Sequence, residues 1–79
     1  MMGDVPEPAM APTLSQRERE VLVLLAQRRT NAEMATQLGL NVRTVEHHVS
    51  RVLTKLKVAN RRDAVQRAHE LGIDLHASP

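Results

Sequence analysis

The chain has 79 residues, enough for one small domain, and contains no Phe, Trp, Tyr or Cys. Without aromatic faces it cannot build the stacking platforms of RNA-recognition sheets or single-strand-binding barrels, and without cysteines it cannot build a disulfide scaffold or a cysteine zinc finger. The formal net charge of +2 hides an uneven distribution: residues 1–26 carry −2, residues 27–67 carry +6, and residues 68–79 carry −2.

A basic block between mildly acidic ends suits a polyanion such as nucleic acid, although a solvated helical surface would have the same composition. The longest apolar run, Val21 to Ala26, is far short of the roughly 20 residues a bilayer span needs. The first residues, MMGDVPEPAMAPT, are acidic rather than basic and do not form a signal peptide. The lack of cysteine suits a reducing compartment, and a cytoplasmic location is expected.

Residues 1–13 hold all but one of the prolines and show no period, so they read as a disordered tail or linker. The domain is expected over residues 14–75, with residues 76–79 frayed.

A first helix starts at Ser15, which forms a capping box with Glu18. Leu14 precedes the cap, in position to staple onto the Arg19 stem or onto the apolar residues beyond. Val21, Leu22 and Leu25 share a face, Leu24 and Ala26 flank it, and Val23 is expected nearer solvent. The helix is expected to run out near Arg28–Arg29.

A second, short helix follows Thr30–Asn31, with Thr30 and Glu33 as another capping box. Met34, Ala35 and Leu38 form its inner face, Gly39 ends it, and Leu40 returns to the core.

Asn41 caps the third helix. Val45, Val49, Val52 and Leu56 fall at i, i+4, i+7 and i+11, with Leu53 beside them, which is a buried stripe. Arg43, His47, Ser50 and Thr54 repeat the same spacing on the opposite, polar face, bordered by Glu46 and Arg51. Lys55 and Lys57 close the helix at its negative end. A fourth helix starts at Asn60, with Ala64, Val65, Ala68 and Leu71 inward, and ends at Gly72. No strand signal is present. The fold class is therefore all-α, a compact four-helix domain.

The second and third helices are separated only by Gly39-Leu40-Asn41. A short helix, a tight glycine turn and a helix with a polar outer face make a helix-turn-helix, whose second helix fits the major groove of duplex DNA. Many αα-hairpins share the turn, so the polar face and the surrounding charge carry the functional weight.

The pieces Leu14-Ser15-x-Arg17-Glu18-x-Glu20-Val21-Leu22, Asn31-x-Glu33-Met34-Ala35, Thr44-Val45-x-x-His48, Lys55-Leu56-x-Val58 and Arg61-x-x-Ala64-Val65 resemble the LuxR-type helix-turn-helix of bacterial transcription regulators. The resemblance covers about residues 14–72. It implies a third helix, at about residues 42–57, in the major groove and a fourth helix often used for dimerisation. It also implies a place C-terminal to a sensor, receiver or ATPase domain. Three positions depart from the family pattern. Arg28 stands where the family has Gly, Arg29 where it has a hydrophobic residue, and Glu46 where many members have Lys.

Glu46, His47 and Ser50 are expected to face base edges. Glu46 could accept from cytosine N4, pair with Arg43 or Ser50, or weaken binding. Arg43, Thr44, Arg51, Lys55, Lys57, Arg61 and Arg62 are expected at phosphates or the rim, Thr44 through its hydroxyl and nearby N–H groups. Some of these charges are expected to be plain surface. Val65, Ala68 and Leu71 are the candidate dimer contacts.

Adjacent His47 and His48 point about 100° apart and cannot chelate one metal ion together. No cofactor is expected, and no catalytic set is visible. The expected partner is double-stranded DNA, bound by a homodimer on a two-part site. The alternative is a protein-interaction module of the same fold that modulates another regulator.

Overall fold

The computed structural model describes residues 13–75. The expected linker, apart from Thr13, and the expected frayed residues 76–79 lie outside the described residues. Four helices follow in order: α1 Gln16–Ala26, α2 Asn31–Leu38, α3 Val42–Leu56 and α4 Arg61–Glu70. Helix α1 packs on α3 and α4, α2 packs on α3, and α3 packs on α4. No strand occurs among the described residues.

Each helix begins the same way. Ser15, Thr30, Asn41 and Asn60 have extended backbones, and each side-chain oxygen accepts from the backbone N–H three residues on. In α1 and α2 the return bond is also made, from Ser15 N–H to Glu18 and from Thr30 N–H to Glu33, both at 2.9 Å.

The helices also end alike. Arg28, Gly39, Lys57 and Gly72 have φ between 60° and 73°. The N–H of the residue after each donates five residues back: Arg29 to Leu24 O, Leu40 to Ala35 O, Val58 to Leu53 O and Ile73 to Ala68 O. These are Schellman turns, which satisfy the orphan carbonyls at a helix end and rotate the chain back toward the core. Leu40, Val58 and Ile73 use that rotation to pack on the core, whereas Arg29 at the same point of the first turn is exposed. Helix α1 therefore stops at Ala26, short of the expected Arg28–Arg29.

The core contains Val21, Leu22, Leu24 and Leu25 from α1, Met34 and Ala35 from α2, Val45, Val49, Val52 and Leu56 from α3, and Ala64 and Ala68 from α4, closed by Leu75. Val23 is buried as well, against the expectation that it would face solvent. Five consecutive buried residues exceed one 3.6-residue turn, so α1 has no solvent face there. An amphipathic reading fails for a helix that neighbours enclose on all sides. Burying a Leu or Val of this kind stabilises by about 1.5–3 kcal/mol relative to exposure.

One charged side chain lies inside this packing. Glu18 is 2% exposed. Its Oε1 accepts from Lys55 Nζ at 2.7 Å and from Ser15 N–H, and its Oε2 accepts from Arg51 Nε at 3.1 Å. Lys55 Nζ also donates to the Thr13 carbonyl. The carboxylate thus ties the N-terminus of α1 to the middle of α3. The Lys55 hydrogen bond, with help from Ser15 and Arg51 and against the cost of burial, lowers the Glu18 pKa to about 2.

Two stability predictions follow from these features. Left-handed backbone costs a non-glycine residue about 1 kcal/mol, partly offset by glycine's freedom in the unfolded chain. Arg28→Gly and Lys57→Gly should therefore each raise stability by about 0.5–1 kcal/mol, seen as a higher urea midpoint at unchanged slope. For Glu18 the folded-state pKa is depressed. Its contribution is present above the ordinary value of 4.5 and is lost as pH falls toward about 2. Glu18→Gln should cost about 2–3 kcal/mol at neutral pH. The gap between variant and wild type should close across that acid window, and a gap constant with pH would disprove the assignment.

Candidate nucleic-acid interface

Helix α3 presents the polar face that its periodicity implied. Glu46, His47, Ser50 and Thr54 are exposed, as is Arg43 one turn earlier, while Val45, Val49 and Val52 face the core. The alternation follows from 3.6 residues per turn, and the tight Gly39 turn holds α2 behind α3 so that this face stays clear.

Two shallow depressions meet at Ser50. On one side lie His47, Arg51, Thr54 and Lys55. On the other lie Glu46 and the N-terminal residues of α2 and α4, namely Asn31, Asn60 and Arg61. Ser50 can donate or accept, His47 offers ring nitrogens, and Glu46 only accepts. The trio is a hydrogen-bonding surface of the width a major groove admits.

The expected rim cations divide into groups that the sequence did not distinguish. Arg51 and Lys55 are both held by Glu18. The Arg51 side chain is still 55% exposed and uses only Nε in that pair, so its terminal nitrogens can bind an oxyanion. Lys55 is 32% exposed and already donates to two oxygens. Its role is to brace α3 rather than to reach outward.

Arg61 crosses to α2, donating to Asn31 Oδ1 and, at 3.5 Å, to the Arg29 carbonyl. Arg43, Lys57 and Arg62 are exposed and make no ion pair among the described residues. Lys57 is also the left-handed residue that ends α3.

Thr44 differs from the expectation in part. Its N–H donates to Asn41 Oδ1 at 2.8 Å, so only the half-buried hydroxyl is left for a phosphate. Among the candidate dimer contacts, Val65 and Leu71 keep part of their surface, but Ala68 is completely buried in the core. Ala68 has no surface to offer a partner, because its small side chain is where α4 meets the core.

The two histidine rings lie 6.4 Å apart and are tilted by 60° to each other. His48 packs at the edge of the core with Nδ1 buried and unpartnered. Among the described residues no group of three or more His, Asp or Glu side chains is placed to hold a metal ion. No described helix is long and apolar enough to cross a membrane.

Sequence reasoning assigned Glu18 a structural part without seeing that it controls two rim cations. A hydrophilic residue at N3, one turn before a continuous apolar run, was the available signal. Asn31 has no site role in the sequence reading, because its hold on Arg61 depends on a contact 30 residues away.

Comparison with known proteins agrees with this geometry. The profile of bacterial regulatory proteins of the luxR family matches residues 12–68. The transcriptional regulatory protein LiaR of Bacillus subtilis (strain 168) is 39% identical over 57 residues, which are 72% of this chain and 27% of LiaR. The chain thus spans about a quarter of that relative.

Among solved structures, the response regulator ChrA of a heme-sensing two-component system superposes with a TM-score of 0.76 at 33% identity, covering 81% of this chain and 32% of ChrA. The transcription factor GerE superposes with a TM-score of 0.72 at 33% identity, covering 78% of this chain and 94% of GerE. A phage VqmA–DPO complex gives 0.75 at 31% identity, covering 90% of this chain and 32% of VqmA. The chain belongs to the luxR family of bacterial regulatory proteins, and its helix-turn-helix is a DNA-binding domain of transcription regulation.

Proposed function

We propose that the domain binds double-stranded DNA sequence-specifically, with α3 in the major groove and Glu46, His47 and Ser50 at the base edges. The observation that carries this reading is the exposed polar face of α3, backed by a fully apolar face and flanked by cations that buried Glu18 holds in place.

In this arrangement Arg43 and Arg51 take phosphates on either side of the reading residues. Arg62, Lys57 and the Thr44 hydroxyl extend the backbone contacts. Glu46 accepts from a cytosine amino group, a readout that a lysine at that position could not make. Nothing in this chemistry needs a catalytic group or a cofactor.

A homodimer on a two-part site is the expected assembly, with the partly exposed Val65 and Leu71 on α4 as the contact. ChrA, described as a response regulator, is about three times the length matched here, which supports coupling of this domain to a receiver or sensor domain. The domain would act in the cytoplasm, where the bacterial chromosome lies.

Five outcomes are expected. Selection from a random duplex library should return a two-part site. The log of its affinity should fall with log salt by roughly 0.9 per phosphate neutralised. Against that site, His47→Ala and Ser50→Ala should each cost about 1–3 kcal/mol of discrimination while binding to unrelated duplex stays nearly constant. Arg51→Ala should weaken binding to every sequence alike. Amide shifts on adding duplex should concentrate in residues 43–54. Changes confined to α4, with residues 43–54 silent, would instead identify an interaction module that binds another regulator.

A further inference from the structure

Two of the three departures of this chain from its family pattern, Arg28 and Arg29, line one groove. The turn after α1 and the first turn of α4 form the walls of a groove floored by Leu25, Ala26 and Val65. Arg28, Arg29, Arg61 and Arg62 line it, and no carboxylate does. Elsewhere the cations of the domain are often matched: Arg17 pairs with Glu20, Arg51 and Lys55 with Glu18, and Arg67 with Glu70. These four arginines have no ion pair among the described residues.

Two features indicate that the cluster is more than a solvated turn. Arg28 occupies a left-handed position, with φ of 62°, that glycine would fill without strain. A charged residue at such a position costs stability, and strained backbone clusters at binding sites. Arg29, the next residue, sits where the other three Schellman turns place an apolar side chain on the core, and it is exposed instead.

Arg61 makes the groove a defined shape. Its bonds to Asn31 and the Arg29 carbonyl join α4 to the turn. Arg61 also lines the depression that contains Glu46 and Ser50. The arginine groove therefore adjoins the outer face of α3 at Arg61.

We propose that this groove is a second phosphate site, in which Arg28 and Arg29, together with Arg62, take the DNA backbone outside the base pairs read by α3. The inference rests on the DNA-binding reading of α3 and adds to it a contact made by Arg28, Arg29 and Arg62. A guanidinium presents a planar fork that matches two phosphate oxygens. The same fork would also accept carboxylates of an acidic protein segment, but adjacency to the α3 face favours DNA.

The test compares wild type with the double variant Arg28→Gly/Arg29→Gln, which removes two charges and relieves the strained position. Both are titrated with a selected duplex and an unrelated one across a salt series. The proposal expects the variant to be at least as stable as wild type yet to bind both duplexes about five- to twenty-fold more weakly at low salt. Its salt slope should be shallower by roughly 1.

A neutral methylphosphonate link, moved one position at a time along the selected duplex, should weaken wild type at a position beyond the bases read by α3. It should leave the variant unaffected there. A variant that matches wild type in affinity and slope overturns the second site while leaving the α3 reading intact. So does a variant that binds duplex normally but loses affinity for poly-glutamate, which would assign the groove to an acidic protein segment. A wild type that binds no duplex overturns the α3 reading itself and this inference with it.

Discussion

A buried carboxylate determines how the third helix is held. Glu18 is enclosed where α1 meets α3, and a buried charge is tolerated only when its oxygens are fully engaged. Three donors meet that demand: the cap N–H of its own helix and two cations one turn apart on α3. Satisfying the carboxylate sets both the rotation and the height of α3 on the rest of the domain. The face that α3 turns outward is therefore decided partly by an acid that never touches DNA. Apolar burial alone would hold α3 against the core but is non-directional, whereas a three-point hydrogen-bonded clamp specifies position.

The same clamp separates the cations by role. Lys55 is consumed as a brace, Arg51 is aimed with its terminal nitrogens still available, and Arg43 and Lys57 stand free at the ends of α3. A tally of basic residues overstates the field at the reading face, because part of that charge is already neutralised from beneath. Further unopposed charge gathers around the turn after α1.

Most of the fold could be read from the chain because helix boundaries here are local events. Ser15, Thr30, Asn41 and Asn60 cap helices through bonds spanning three residues, and the glycines at positions 39 and 72 mark two of the four exits. The other two exits were harder. Arg28 and Lys57 adopt a glycine-like backbone, which no propensity favours and which the turn imposes through its hydrogen bonds. Val23 was misjudged because amphipathicity presumes one wet side, and α1 is enclosed over that turn. The exposed polar face that carries Glu46, His47 and Ser50 was legible from period and polarity. The partners of Arg51, Lys55 and Arg61 were not, since each bond joins residues 30 or more positions apart and a periodicity argument has no view of such distances. Ala68 shows the converse error: a residue on the inner face of α4 cannot also serve its outside.

These two ranges of contact also bear on the order in which the domain assembles. Caps and end turns cost little chain entropy and can form as each helix forms, within a few residues of sequence. The ties from Glu18 to Lys55 and from Asn31 to Arg61 close loops of 37 and 30 residues, and they have value only once the helices they join are already present. Arg51, Lys55 and Arg61 are therefore positioned by contacts that require the helices to be in place. A chain with all four helices formed but these ties unmade would hold Arg51, Lys55 and Arg61 differently, so the arrangement of charge beside α3 depends on tertiary contacts rather than on helix content.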